Sequence, residues 1–92
     1  MSDLSVQAMY AEAMLGRDAE EFMKTDLGRV MLARAEETER EAIESLASVS
    51  PWRRRRISQL QNEIKLARMF KGYLIELIVT GKQALQQLDT PE

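Results

Sequence analysis

The side chains of this 92-residue chain that can do chemistry are lysines, arginines, carboxylates and a few aromatic rings, because the chain has no histidine and no cysteine. These two absences exclude a thiolate nucleophile, an imidazole base and imidazole or thiolate metal ligands. What remains is binding of anions by cationic side chains, stacking on aromatic rings, and binding of hard cations by carboxylates.

The carboxylates are densest between Glu36 and Glu44, in a segment predicted to be helical. A helical nucleotide pyrophosphohydrolase would hold magnesium with a pair of glutamates followed three residues later by another. Arg40 stands at that position after Glu37, and Lys24 stands there after Glu21. We therefore expect no metal centre, no cofactor and no enzymatic activity.

Tyr10 and a set of cations form a second candidate site. Tyr10 can present a flat ring to a nucleobase, and Lys24, Thr25 and Arg29 lie near the beginning of a long predicted helix, where free backbone N–H groups favour anions. An aromatic ring with scattered cations fits a phosphorylated ligand that carries a base. The alternative is that Tyr10 belongs to the core and that Lys24 and Arg29 are solvated.

Arg68 and Lys71 interrupt the apolar part of the last predicted helix, and Lys71 occupies a position that should be hydrophobic. A buried cation requires a partner. That partner is either a carboxylate, such as Glu76 of another subunit, or an anionic ligand.

Four consecutive arginines, Arg53–Arg56, follow Trp52. Such a run can bind the phosphates of nucleic acid. However, it lies at a predicted helix N-terminus, where cations are disfavoured, and only Trp52 is beside it for stacking. Glu39, Glu41 and Glu44 can offset its charge, either across the hairpin or between subunits. We therefore expect a solvated or salt-bridged surface and no nucleic-acid partner.

The elements that position these residues are helices, and no strand pattern occurs. A first amphipathic helix is predicted over residues 4–15, closed by Gly16. Asp18 then caps a second helix over residues 18–49.

Ser50 caps a third predicted helix over residues 51–88, with Pro51 in its first turn, and residues 89–92 form a frayed tail. The fold class is therefore all-α: a short N-terminal helix followed by a long antiparallel helical hairpin, in a single domain spanning residues 1–92.

Apolar spacing indicates which helix faces are covered. The second predicted helix has one apolar stripe: Met23, Leu27, Met31, Ala35, Thr38, Ala42, Leu46 and Val49. The third has a first stripe that can pack on it: Ile57, Leu60, Ile64, Ala67, Leu74, Ile78, Leu85 and Leu88. It also has a second stripe without a partner in the hairpin: Leu66, Phe70, Tyr73, Leu77 and Ala84, with Met69, Ile75 and Val79 nearby. Because a soluble monomer should not expose such a surface, we expect an oligomeric helical bundle of identical chains.

Charge is divided between the two long predicted helices. Residues 18–49 carry nine acids and four bases, and residues 51–88 carry eight bases and two acids. Opposite charge favours pairing of the two helices. The first residues lack the basic start and apolar core of a signal peptide, and every long apolar stretch contains charges, so we expect neither export nor a membrane span.

The order of these segments resembles a known family. A short helix with Tyr10 is followed by FMKTDLGRVML, a long acidic helix, SPW and a helix containing LQNEIKLARMFKGYLIELIVTGKQAL. Together they resemble the anti-CBASS sponges of tailed phages. The resemblance implies a homo-oligomer, a hexamer in that family, which acts in the host bacterial cytoplasm. It sequesters cyclic di- and trinucleotides, of the cyclic GMP–AMP and cyclic triadenylate types, without cleaving them.

The resemblance also implies ligand-binding residues. Tyr10 and Lys24 match a tyrosine and a lysine that bind cyclic dinucleotides, and Thr25 and Arg68 match a threonine and an arginine of a second site for cyclic trinucleotides. Arg29 is our addition to that second site. The alternative function is that of a structural or adaptor protein in a phage particle or packaging machine, which docks on a larger partner through the second stripe.

Overall fold

The computed structural model describes residues 2–89, which form three α-helices and no strand. Helix α1 spans Asp3–Lys24, α2 spans Asp26–Ser48 and α3 spans Arg54–Asp89. The predicted all-α class is confirmed. Positions 90–92 of the predicted tail lie outside the described residues. No helix in the described range is long and apolar enough to cross a membrane.

The first interhelical break occurs at Thr25 and not at Gly16. Helix α1 continues through Gly16 and Asp18, so Asp18 is no cap. The Thr25 N–H donates to the Phe22 carbonyl (3.1 Å), and the Thr25 Oγ1 accepts from the Gly28 N–H (3.0 Å). One residue therefore caps the end of α1 and the beginning of α2. The predicted end of the first helix at Gly16 is wrong, because Gly16 lies where α1 crosses α3 and not at the end of a helix.

The connection between α2 and α3 is a short turn at Pro51 and Trp52. The Arg53 N–H donates to the Ser50 carbonyl (3.0 Å), and α3 begins at Arg54. The third helix therefore begins later than predicted, because Pro51 lies in the connecting turn and not in the first turn of the helix.

Helix α3 packs on both other helices through small side chains. The buried apolar residues in the described chain are Ala19, Ala42, Leu60, Ala67 and Ala84. The chain measures 60 × 28 × 16 Å, and its radius of gyration is 18.5 Å. A compact domain of this length would have a radius of gyration of about 12 Å. The fold is therefore extended, with a thin core.

Much of the second stripe of α3 is exposed, as its spacing predicts. Leu66 is 65% exposed and Tyr73 57% exposed, whereas Ala84 is buried. The first stripe is mostly covered, although Leu85 at its far end is half-exposed. On α2 only part of the predicted stripe is covered: Ala42 is buried, whereas Leu27 and Met31 are exposed. Gly28 and Glu39, which lie outside the stripe, are also turned towards the interior.

Candidate ligand-binding site

A groove of about 800 Å³ lies between α1 and the C-terminal part of α3, with Tyr10 on its wall. Tyr10 is 61% exposed, so its ring is accessible and is not part of the core. The apolar part of the lining comes from Val6, Ala13, Met14, Ile78, Leu85 and Leu88. The polar part comes from Arg17, Glu20, Lys82, Gln87 and Asp89. Volume and composition suit a small organic ligand with polar groups.

The groove exists because two glycines let α1 and α3 approach closely. A Cβ on Gly81 would lie 2.8 Å from the Gly16 Cα and 2.9 Å from the Glu12 carbonyl oxygen. A Cβ on Gly16 would lie 2.7 Å from the Leu77 carbonyl oxygen. The backbones therefore meet at this crossing. Gly16 and Gly81 themselves line the groove, together with Tyr10 and Leu85.

The cations of the groove are paired with carboxylates. Lys82 Nζ lies 3.6 Å from Glu20 Oε1, and Arg17 Nε lies 3.4 Å from Glu21 Oε1. These pairs are exposed, and such pairs contribute about 0–1 kcal/mol each. An anionic ligand would therefore compete with weak interactions for Arg17 and Lys82.

Lys24, Thr25 and Arg29 lie together at the junction of α1 and α2, and all three are exposed. Besides capping α2, the Thr25 hydroxyl donates to the Phe22 carbonyl (2.6 Å). A Cβ on Gly28 would overlap the Phe22 carbonyl, so the junction is tight. Thr25 thus holds the two helices in their relative orientation, and Lys24 and Arg29 project beside it.

The structure does not bring Tyr10 and Lys24 together within one chain. They lie 14 positions apart on the same helix, which at 1.5 Å per residue is about 21 Å. Arg68 is similarly remote from Thr25, because its partner Glu39 is 14 residues, or about 21 Å, further along α2. Within a single protomer, neither predicted set forms one site.

Glu39 holds both cations that interrupt α3. Arg68 Nε donates to Glu39 Oε1 (2.8 Å), and Lys71 Nζ lies 3.3 Å from Glu39 Oε2. The hydrogen bond from Arg68, followed by that from Lys71, holds the pKa of Glu39 below its usual value. The partner of Lys71 is therefore a carboxylate of the same chain, and neither Glu76 of another subunit nor a ligand is needed to explain its position.

The four arginines of residues 53–56 form no ion pair with any acid among residues 2–89. The expected neutralisation by Glu39 does not occur, because Glu39 contacts Arg68 and Lys71. Trp52, beside the run, is 85% exposed. Within one chain the run is solvated and not salt-bridged.

The sequence did not single out Arg17 or Lys82, and it indicated the wrong partner for Glu39, which pairs with Arg68 and Lys71. Arg17 follows Tyr10 by seven residues, which places both on one helix face, so spacing alone could have found it. Lys82 required knowledge of the crossing at Gly16 and Gly81. Glu39 could be found only by aligning α2 with α3.

The described part of the chain contains no group of three acidic residues placed to hold a metal ion. Comparisons with family models, with curated proteins and with solved structures gave no match.

Proposed function

We propose that this chain is a subunit of a homo-oligomeric protein that captures cyclic oligonucleotides and does not cleave them. The observation that carries the proposal is the accessible Tyr10 ring in a groove of about 800 Å³ whose rim holds the cations Arg17 and Lys82. An aromatic face and nearby cations are what a base attached to a phosphate requires. Release of the ligand intact needs no base, nucleophile or metal ion.

Assembly is supported by the area that a single chain leaves exposed. The accessible surface is 7347 Å². A folded monomer of this mass would expose about 5,500 Å², so roughly 1,900 Å² is in excess, about twice the roughly 800 Å² that each partner buries in a standard protein interface. We propose that α2 and α3 form an antiparallel hairpin, tied by Glu39, and that the second stripe of α3 packs against other copies. A hexamer is the form that the family resemblance favours.

Assembly would also complete the proposed sites. Since Tyr10 and Lys24 are about 21 Å apart along α1, a ligand that contacts both must bind between copies. The same holds for the proposed second site, in which Thr25 and Arg29 of one copy would face Arg68 of another. The Nε of Arg68 is occupied by Glu39, but its terminal guanidinium nitrogens remain available.

The decisive experiment is depletion and recovery of a defined ligand. Purified protein is mixed with cyclic GMP–AMP or cyclic triadenylate, the free ligand is separated by filtration, and the bound ligand is recovered by heat denaturation. Depletion followed by recovery of the intact ligand supports the proposal. An altered product would indicate an enzyme, and no depletion of either ligand would overturn the proposal in favour of a structural or adaptor protein of a phage particle or packaging machine.

The role of Tyr10 is tested by two substitutions. Tyr10→Ala removes the ring and should weaken binding of cyclic GMP–AMP by about 1–3 kcal/mol, the contribution of one base–aromatic stack. Tyr10→Phe keeps the ring and should bind nearly as well as the unmodified protein. Equal affinities of all three proteins would exclude Tyr10 from the site.

Assembly is tested separately by placing a charge on exposed apolar positions of α3. Ile75→Glu and Leu77→Glu should shift the protein towards smaller or unfolded species in sedimentation velocity, because a charge in a packed interface is costly. Gln83→Glu adds the same charge at an exposed polar position and should not change the assembly. Unchanged sedimentation of the first two variants would exclude this face as the interface.

A further inference from the structure

The turn between α2 and α3 carries a surface that the proposed function does not use. We call Trp52 together with Arg53–Arg56 the arginine tip. These residues and Gln59 line one shallow depression of about 430 Å³. Trp52 is 85% exposed, so both faces of an indole and four guanidinium groups are gathered at one end of the molecule.

The positive charge of the arginine tip is not neutralised within the described chain. None of its arginines lies within ion-pair distance of a carboxylate between residues 2 and 89. Glu39, one of the three carboxylates expected to offset this charge, is shared between Arg68 and Lys71. The tip therefore presents four unpaired cations to a ligand.

The backbone at the arginine tip adds further donors for an anion. The side chains of Ser2 and Thr25 cap the first turns of α1 and α2 by accepting an N–H. At the beginning of α3, by contrast, the N–H groups of Arg55 and Arg56 have no acceptor in the described part of the chain. Free N–H groups at a helix N-terminus point towards bound anions.

We propose that the arginine tip binds single-stranded nucleic acid, with Trp52 stacked on a base and the arginines on flanking phosphates. Phosphates alone would explain the cations, but an exposed indole adjoining them adds a surface for a base, and bases expose their faces when unpaired. The proposal replaces the sequence-based expectation of no nucleic-acid partner, because none of the three carboxylates expected to offset the run pairs with it within the described chain, and Glu39 is held by Arg68 and Lys71.

This inference is independent of the proposed capture of cyclic oligonucleotides. Arg55 and Leu85, which lines the Tyr10 groove, are 30 residues apart on α3, or about 45 Å at 1.5 Å per residue. The ligands proposed for the arginine tip and for the Tyr10 groove are both phosphodiesters that carry bases. Linear and cyclic sources are therefore compared in the same assay.

Trp52 reports directly on the tip, since it is the only tryptophan of the chain. The intact protein is titrated with a short oligothymidylate, and quenching of Trp52 fluorescence is followed at several salt concentrations. Stacking should quench the fluorescence. If all four arginines contact phosphates, the logarithm of the affinity should fall with the logarithm of salt concentration with a slope of about −2.8, that is, about 0.7 for each contact.

Variants identify the groups responsible, with anisotropy of a labelled oligothymidylate as the readout. Trp52→Ala should weaken binding about 5- to 150-fold, the loss of one base–aromatic stack, and Trp52→Phe should recover part of it. The double variant Arg54→Gln/Arg55→Gln should reduce the salt slope by about 1.4. The matched control Arg34→Gln/Arg40→Gln removes two exposed, unpaired arginines of α2 and should leave the slope unchanged.

Three results would overturn the proposal. The first is no quenching by oligothymidylate at low salt. The second is an equal loss in the α2 control, which would indicate general charge attraction. The third is quenching by cyclic GMP–AMP and not by oligothymidylate, which would assign the tip to a cyclic ligand. Tyr10→Ala should leave the quenching of Trp52 by oligothymidylate unchanged, because Tyr10 is not part of the arginine tip. Failure of the tip proposal can therefore be distinguished from failure of the proposed capture of cyclic oligonucleotides.

Discussion

Gly81 and Gly72 on α3 offer a matched test of the close crossing between α1 and α3. A Cβ on Gly81 would meet the Gly16 Cα at 2.8 Å and the Glu12 carbonyl oxygen at 2.9 Å, and both neighbours are backbone atoms that cannot rotate away. A Cβ on Gly72 would meet nothing within 4 Å. Substitution by alanine is therefore the same chemical change in two different surroundings of the same helix.

The expected magnitudes follow from two contributions. Alanine in place of glycine in a helix gains about 0.8–1.0 kcal/mol at either position. At Gly81 the helices must also separate, at a cost of about 1–3 kcal/mol or more, the range for overpacked sites. Gly72→Ala should raise the free energy of unfolding by nearly 1 kcal/mol. The free energy of unfolding of Gly81→Ala should be lower than that of Gly72→Ala by the whole steric cost, because the gain in helix propensity is the same in both variants.

The assay is urea denaturation followed by circular dichroism at one protein concentration, because assembly makes stability concentration-dependent. Sedimentation velocity on each variant establishes that the two proteins are compared in the same state. Gly16→Ala, combined with Gly81→Ala, should cost less than the sum of the two, since the first substitution already separates the helices. Equal stabilisation by Gly72→Ala and Gly81→Ala would refute the close crossing.

Two further predictions concern the joints of the fold. Thr25→Ala removes the acceptor for the Gly28 N–H and should lower the free energy of unfolding by about 1 kcal/mol, whereas Thr25→Ser keeps a hydroxyl and should be nearly neutral. Urea denaturation measures both, and equal stabilities of the two variants would contradict the capping role of Thr25. Because Arg68 and Lys71 lower the pKa of Glu39, the charged form favours the folded state. Its contribution should be complete above the unfolded glutamate pKa of about 4.3 and be lost as the pH falls through the lower folded pKa. Thermal unfolding between about pH 2 and 6 should therefore vary less with pH for Glu39→Gln than for the unmodified chain, and parallel profiles would show that Glu39 contributes nothing.

The all-α class was predictable because apolar spacing and the scarcity of glycine and proline are local signals. The second stripe of α3 was predictable for the same reason, and Leu66 and Tyr73 are exposed as its spacing indicates. The break at Gly16 was not, because a glycine that ends a helix and a glycine that admits a neighbouring backbone look alike in sequence. Only the position of Gly81 on another helix distinguishes them.

The candidate site was less predictable than the fold, since its residues come from distant parts of the chain. The Tyr10 ring is accessible and is not part of the core, and its role in ligand binding stays a prediction. Arg17 shares a helix face with Tyr10 and could be found from spacing, whereas Lys82, which lines the same groove, depends on how α1 crosses α3. The partner of Lys71 depends on the register of α2 against α3, which fixes Glu39 opposite it. Charge patterns identify which residues need partners, and tertiary geometry decides which partners they find.

The alanine-rich interior has a consequence for how this fold tolerates change over evolution. At Ala19, Ala42, Ala67 and Ala84, and at the two crossing glycines, the neighbouring helix limits how large a side chain can be, and hydrophobicity matters less than size. Exposed positions have no such limit on side-chain size, and substitutions there are limited mainly by binding. Distant homologues should therefore be recognised by small residues at these spacings, and a comparison weighted for side-chain volume should detect them more readily than one weighted for motifs.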